Sequence, residues 1–181
     1  MDTLSHGIWA GLLARFYNTK VKGKINVWWT AFFGVFPDLF AFTIPFTWLI
    51  LNLILGNISP GEFKGPESNS LPEGAEFMFS IASNLYNLSH SLIIFGIVYL
   101  IVTLIRKKQT YEMFGWLLHI LIDIPTHTRN FYPTPIFWPI SSWKFSGINW
   151  ANKWFMIINI SAMILFYVYI KFREKRRKNA P

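Results

Sequence analysis

Long apolar runs, broken by short polar or basic segments, dominate the chain. Five are long enough to predict helices: about 4–17, 25–55, 88–105, 111–124 and 150–170. The run from Ile25 to Leu55 carries Pro37 and Pro45 as expected kinks, and Pro125 is expected to end the fourth helix. Gly56 to Gly74 is rich in Gly, Pro and Ser and reads as a loop; Ala75 to Asn87 reads as an interfacial stretch rather than a span. Thr126 to Gly147 combines prolines with Phe131, Tyr132, Phe137, Trp138 and Trp143, rings that favour a membrane–water boundary.

Composition turns this pattern into a membrane protein. Of 181 residues, 52% are hydrophobic, 19% aromatic and only 14% charged, and the mean hydropathy is +0.33. The expected fold is all-α: a polytopic membrane helix bundle of about five helices with an outer proline- and aromatic-rich loop, forming one domain over 1–181. No cysteine is present, so there is no disulfide partner, and any metal must be held by imidazole and carboxylate.

The net charge of +8 does not point to nucleic acid, because the cations cluster beside apolar runs with no recognition motif. The clusters are Arg15 to Lys24, Arg106 to Lys108, and a basic tail over 171–181. The positive-inside rule puts all three on the cytoplasmic face of the membrane, with the N-terminus outside and the C-terminus cytoplasmic. Between Gly56 and Asn87, Glu62, Glu67, Glu73 and Glu76 face Lys64, a net of −3 that suits the outer side. In the first helix charge follows the apolar run, the reverse of a cleaved signal.

Ionisable groups inside a bilayer cost roughly 2.5–3.5 kcal/mol each on insertion scales, so they imply partners or function. His6 lies 14 residues before Lys20, Asp38 lies 14 after Lys24, His90 lies 16 before Arg106, and His119 and Asp123 lie 11 and 15 after Lys108. At about 1.5 Å per residue, all five fall roughly 17–24 Å from the basic layer. His119 and Asp123, spaced i, i+4, share a helix face. Four helices thus deliver a metal-ligating set for a divalent ion, zinc first, with manganese or iron also compatible. One ion would leave an open position, and two would fit if a carboxylate bridges. Either arrangement activates water for hydrolysis. His127, just past the proline break, is a further ligand or a proton shuttle. Ser89 and Ser5 are either helix caps or hydrogen-bonding supports of the adjacent histidines. Arg129 is the candidate for holding a phosphate, with Lys144 and Lys153 as weaker ones.

Several of these residues carry a family resemblance. Ser5-His6-Gly7, Phe36-Pro37-Asp38, Ser89-His90-Ser91, His119-xxx-Asp123 with Thr126, and Trp138-Pro139 resemble, in order and spacing, the bacterial inner-membrane-associated metal-dependent hydrolases. That group is distantly similar to zinc-dependent phospholipase C. The chain departs from many relatives after the Pro-Asp pair, where it has Leu39-Phe40, and before the third-helix histidine, where it has Tyr86-Asn87-Leu88. The resemblance implies hydrolysis of a lipid or lipid-linked substrate, with a phosphoester as the expected bond. Two alternatives stand beside it: an amide hydrolase resembling the alkaline ceramidases, and a non-enzymatic ion or proton carrier. The short first and fourth helices are expected to leave a hollow, closed by Pro125 to Pro139 as a lid with Phe131, Tyr132, Phe137 and Trp138 at the interface.

Overall fold

The computed structural model describes residues 1–21, 24–59, 74–129 and 132–178. Those residues form α1 (Thr3–Asn18), α2 (Val27–Ile54), α3 (Ala75–Ser89), α4 (Leu92–Arg106), a 3₁₀ turn (Tyr111–Met113), α5 (Phe114–Thr126) and α6 (Lys153–Lys178). Helices α1, α2 and α6 start at side-chain caps that accept otherwise unpaired amide N–H groups. Asp2 accepts from Ser5 N, Asn26 from Trp28 N and Trp29 N, and Asn152 from Trp154 N.

All-α architecture agrees with the sequence, but four details differ. The stretch 75–87, read as interfacial, belongs to helix α3, so the described residues hold six α-helices where about five were expected. It leads into α4 through a 62° bend, where Ser91 leaves the helical region (φ −96°, ψ 131°) and caps the new helix through Ile93 N and Ile94 N. Pro125 does not stop α5, which runs one residue further to Thr126; in the last turn a proline forfeits a single ladder bond. The basic tail continues α6 as helix to Lys178 instead of leaving it at 170. The acids Glu62, Glu67 and Glu73 lie outside the described residues.

Two helices, α2 and α6, are long and apolar enough to cross a membrane, and the bent pair α3–α4 makes a third candidate. With 16 and 13 residues, α1 and α5 are shorter than the roughly 20 a span needs. They pack against α2 instead. Large apolar side chains face outward on the long helices: Phe46, Ile50 and Ile54 of α2, and Ile158, Leu165 and Val168 of α6. That outward apolar surface is what lipid, not water, would solvate.

Small residues set how closely the short helices approach. A Cβ on Gly34 would meet Ala10 Cβ at 2.7 Å and the His6 carbonyl oxygen at 2.8 Å; one on Gly115 would meet the Thr30 carbonyl oxygen at 2.2 Å. Glycine at both positions lets α1 and α5 seat backbone to backbone on α2. The three basic clusters meet at one end of the bundle. Arg15 pairs with Glu174 at 2.7 Å, and the Arg177 guanidinium donates to the Asn18 carbonyl at 3.0 Å. Lys24, Arg106 and Lys108 line a single cleft there.

Gly115→Val should therefore lower stability by about 1–3 kcal/mol or more through overpacking. Gly96→Ala, where nothing lies within 4 Å, should change it little. Thermal unfolding in detergent distinguishes the two.

Candidate metal centre

The close contacts at Gly34 and Gly115 bring the polar residues of α1, α2 and α5 together, and the α3–α4 bend supplies His90. His6, His90, His119 and Asp123 are at most 1% exposed, and Asp38 is 8% exposed. One ligand atom each from Asp38, His90, His119 and Asp123 lies within 4.8 Å of all the others. His90 Nε2 is 3.0 Å from His119 Nε2, 3.4 Å from Asp38 Oδ1 and 3.5 Å from Asp123 Oδ2. His119 Nε2 is 3.6 Å from Asp38 Oδ1 and 3.2 Å from Asp123 Oδ2. A tetrahedral zinc site with ligands at about 2.0–2.1 Å has edges of about 3.3–3.4 Å. The five distances straddle that value.

The tautomers point the same way. A carbonyl oxygen only accepts, so a ring nitrogen hydrogen-bonded to one must carry the proton. His119 Nδ1 donates to the Gly34 carbonyl at 2.7 Å. His90 Nδ1 sits 3.2 Å from the Tyr86 carbonyl and 2.9 Å from Ser89 Oγ. His127 Nδ1 donates to the Tyr132 carbonyl at 2.9 Å. Each neutral ring is left with its Nε2 lone pair facing inward, so the 3.0 Å approach of His90 to His119 sets two lone pairs against each other. Asp123 Oδ2, buried beside both, has no hydrogen-bond donor among the described residues. A cation among these four atoms relieves both conflicts, and outer hydrogen bonds of this kind orient metal-bound imidazoles. The residues present fit a divalent ion.

Asp123 has a second face. His6 Nε2 lies 2.8 Å and His127 Nε2 3.3 Å from its Oδ1, and the Met1 amine approaches Oδ1 at 2.5 Å and His127 Nε2 at 2.9 Å. The His6 ring stacks on His119 with centroids 3.7 Å apart. His6 thus joins the cluster through Asp123 and the His119 ring, outside the four-atom cage.

Ser89 does not cap a helix; Ser91 does. Ser89 instead sits behind His90, turned from the cage. Ser5 neither caps α1 nor bonds His6: its Oγ accepts from Asn159 Nδ2 at 3.0 Å and ties α1 to α6. Arg129 is exposed beyond the end of α5, and neither it nor Lys144 or Lys153 lines the cavity beside the cluster. Thr3 was not foreseen. Its hydroxyl donates to Asp38 Oδ2 at 2.7 Å and turns Oδ1 toward the histidines. An N-terminal threonine 35 residues away carries no spacing signal, and the carbonyls of Gly34, Tyr86 and Tyr132 carry none either, since every residue has one.

The segment after α5 packs over this end of the bundle. Leu92 N donates to the Ile136 carbonyl at 3.0 Å, Ser91 Oγ to the Trp138 carbonyl at 2.6 Å and Tyr86 Oη to the Tyr132 carbonyl at 2.7 Å. Phe137 is exposed and Trp138 half-buried, while Phe131 lies outside the described residues. An apolar cavity of about 410 Å³ opens beside the cluster; Asp38, His127 and Thr3 form its polar end, and Phe42, Phe46 and Met78 its walls.

His119→Ala and Asp123→Ala should each cost the protein its bound metal, because an ion left with three of four ligands is readily lost. Ser89→Ala should weaken metal affinity by about 10–100-fold without abolishing it. Elemental analysis of detergent-purified variants, titrated against a competing chelator, reads both.

Neither the curated proteins nor the solved structures give a match to the chain. The family described as YdjM inner membrane protein matches residues 1–180, a description that places the protein in a membrane and assigns it no chemistry. On that match, together with the apolar helices and their outward apolar faces, the chain belongs to the YdjM inner membrane protein family.

Proposed function

We propose that the protein is a membrane-embedded, metal-dependent hydrolase acting on a lipid or lipid-linked substrate, with a phosphoester as the bond cleaved. The observation that supports this best is the buried set of two imidazoles and two carboxylates, one of which, Asp38, lines an apolar cavity. Zinc suits the tetrahedral N₂O₂ donor set best, and manganese or iron suits it less well. His90, His119 and Asp123 would hold a divalent ion, and Asp38, the one member of the set that lines the cavity, would give way to the water that the ion would activate at neutral pH.

The chain's own residues do the remaining work. Thr3 and Ser89 orient Asp38 and His90 through the hydrogen bonds they make. His6 holds the far oxygen of Asp123. His127 lines the cavity, with its Nδ1 proton committed to the Tyr132 carbonyl and its Nε2 directed at Asp123, and it moves the proton of attack and departure. The apolar walls admit a hydrocarbon chain and exclude bulk water. Arg129 is exposed and does not line this cavity. The basic end of the bundle faces the cytoplasm, which puts the cluster in the outer half of the bilayer.

The test is turnover of a fluorescent phosphatidyl substrate by zinc-loaded protein in right-side-out and inverted vesicles. Phosphoester cleavage should occur in right-side-out vesicles and stop on chelation. His127→Ala should slow it by about 10²–10⁴-fold while bound zinc is retained. Cleavage of an amide-linked lipid alone would support the ceramidase-like reading instead. Zinc-independent proton flux without turnover would support a carrier.

A further inference from the structure

At the opposite end of the bundle from the metal cluster, a second cleft of about 740 Å³ opens between α2 and α4. We propose that it is a binding site for an anionic glycerophospholipid, whose headgroup lies at the basic rim and whose acyl chain runs between the two helices. This site is independent of the hydrolase reading.

The walls are two apolar stripes that face one another. On α2, Trp29, Phe33 and Phe36 recur at helical spacing; on α4, Val98 and Val102 stand one turn apart, with Arg106 a turn further at the rim. The stripes face each other across a gap, because α2 packs on α1, α3 and α5, whereas α4 leans on α3 and α5. Trp116 closes the floor. Its indole N–H donates to the Ser89 carbonyl at 2.6 Å, and its ring meets Phe36 and Phe95 edge-on at 5.4 Å. This aromatic floor separates the cleft from the metal cluster. From Arg106 to Val98 the helical rise is about 12 Å, enough for a substantial length of acyl chain.

The rim is built for an anion. Lys24, Arg106 and Lys108 stand around it, and Glu112 is the one acid among the lining residues. Glu112 Oε1 already accepts from Asn26 N at 3.2 Å. The chain reverses after α4 through Lys107, which adopts the left-handed conformation (φ 49°) that glycine usually fills at a helix end. That reversal brings Lys108, Gln109 and Thr110 back over the cleft, where Arg106 Nη1 donates to Thr110 Oγ1 at 3.5 Å. Cations above an apolar slot, at the layer where juxtamembrane basic residues meet phospholipid headgroups, match an anionic amphiphile. A soluble phosphate would match only the rim and leave the aromatic walls uncovered.

Native mass spectrometry of the full-length protein in neutral detergent, titrated with phosphatidylglycerol and with phosphatidylcholine of the same chains, tests the site. Phosphatidylglycerol should bind preferentially. The double variant Arg106→Gln with Lys108→Gln should weaken its binding by about 25-fold, at about fivefold per cation removed near the membrane surface. Lys175→Gln with Arg176→Gln, an equal charge loss on exposed residues of α6 outside the cleft, should leave it within about twofold. Val98→Trp, which fills the slot, should also weaken lipid binding. If it misfolds, the two charge pairs still decide. Equal loss from both charge pairs, no preference between the lipids, or competition by glycerol phosphate at lipid-like concentrations would each overturn the proposal.

Discussion

Three backbone carbonyls govern the centre of this protein. Because the Gly34 and Tyr86 carbonyls accept the Nδ1 protons of His119 and His90, those two rings, as neutral imidazoles, turn their Nε2 lone pairs into one small buried volume, and Tyr132 fixes His127 on the other face of Asp123. Two carboxylates share it. Buried lone pairs and negative charge that converge are unfavourable unless a cation lies among them; the Met1 ammonium meets Asp123 Oδ1 and His127 Nε2, and the hydrogen bonds that fix the His90 and His119 rings create the affinity for a second cation at Asp123 Oδ2 and Asp38. The rest of the fold maintains that confrontation.

It does so through contact distances that permit little substitution. Gly115 lets α5 approach α2 until the His119 ring reaches the Gly34 carbonyl, and Gly34 lets α1 seat on the other side of α2. The α3–α4 bend delivers His90 from a third direction, with Ser91 converting a broken helix into a newly capped one. The ion pairs and carbonyl contacts of the basic end tie α1 to α6 far from the cluster, so the registers of the helices are held at both ends.

Much of this was legible in the residues. The i, i+4 spacing of His119 and Asp123, and the similar offsets of His6, Asp38 and His90 from the basic clusters, placed five groups in one layer, and the structure brings four of them into one cage with His6 against it. The stretch that forms α3 reads as interfacial because Glu76, Ser80, Asn84 and Asn87, spaced i, i+4, i+8 and i+11, make one polar stripe that lowers its hydropathy below that of a span. The bend was not legible, since Ser89-His90-Ser91 contains neither proline nor glycine. Side chains such as Ser5 and Ser89 could be recognised as hydrogen-bonding groups, but the direction of each bond depends on which neighbour the packing supplies. Ser89 turned to His90 and Ser5 to Asn159. Thr3 was invisible for the same reason: its partner Asp38 is on another helix.

The central claim is that the inward-facing nitrogens and the two carboxylates form a metal cage. X-ray absorption at the zinc edge of stoichiometrically loaded protein tests it most directly. The account predicts a four-coordinate shell of nitrogen and oxygen at about 2.0–2.1 Å with the outer-shell scattering of at least two imidazoles. A shell of six oxygens without imidazole scattering, or failure to retain zinc through purification and dialysis, would contradict it.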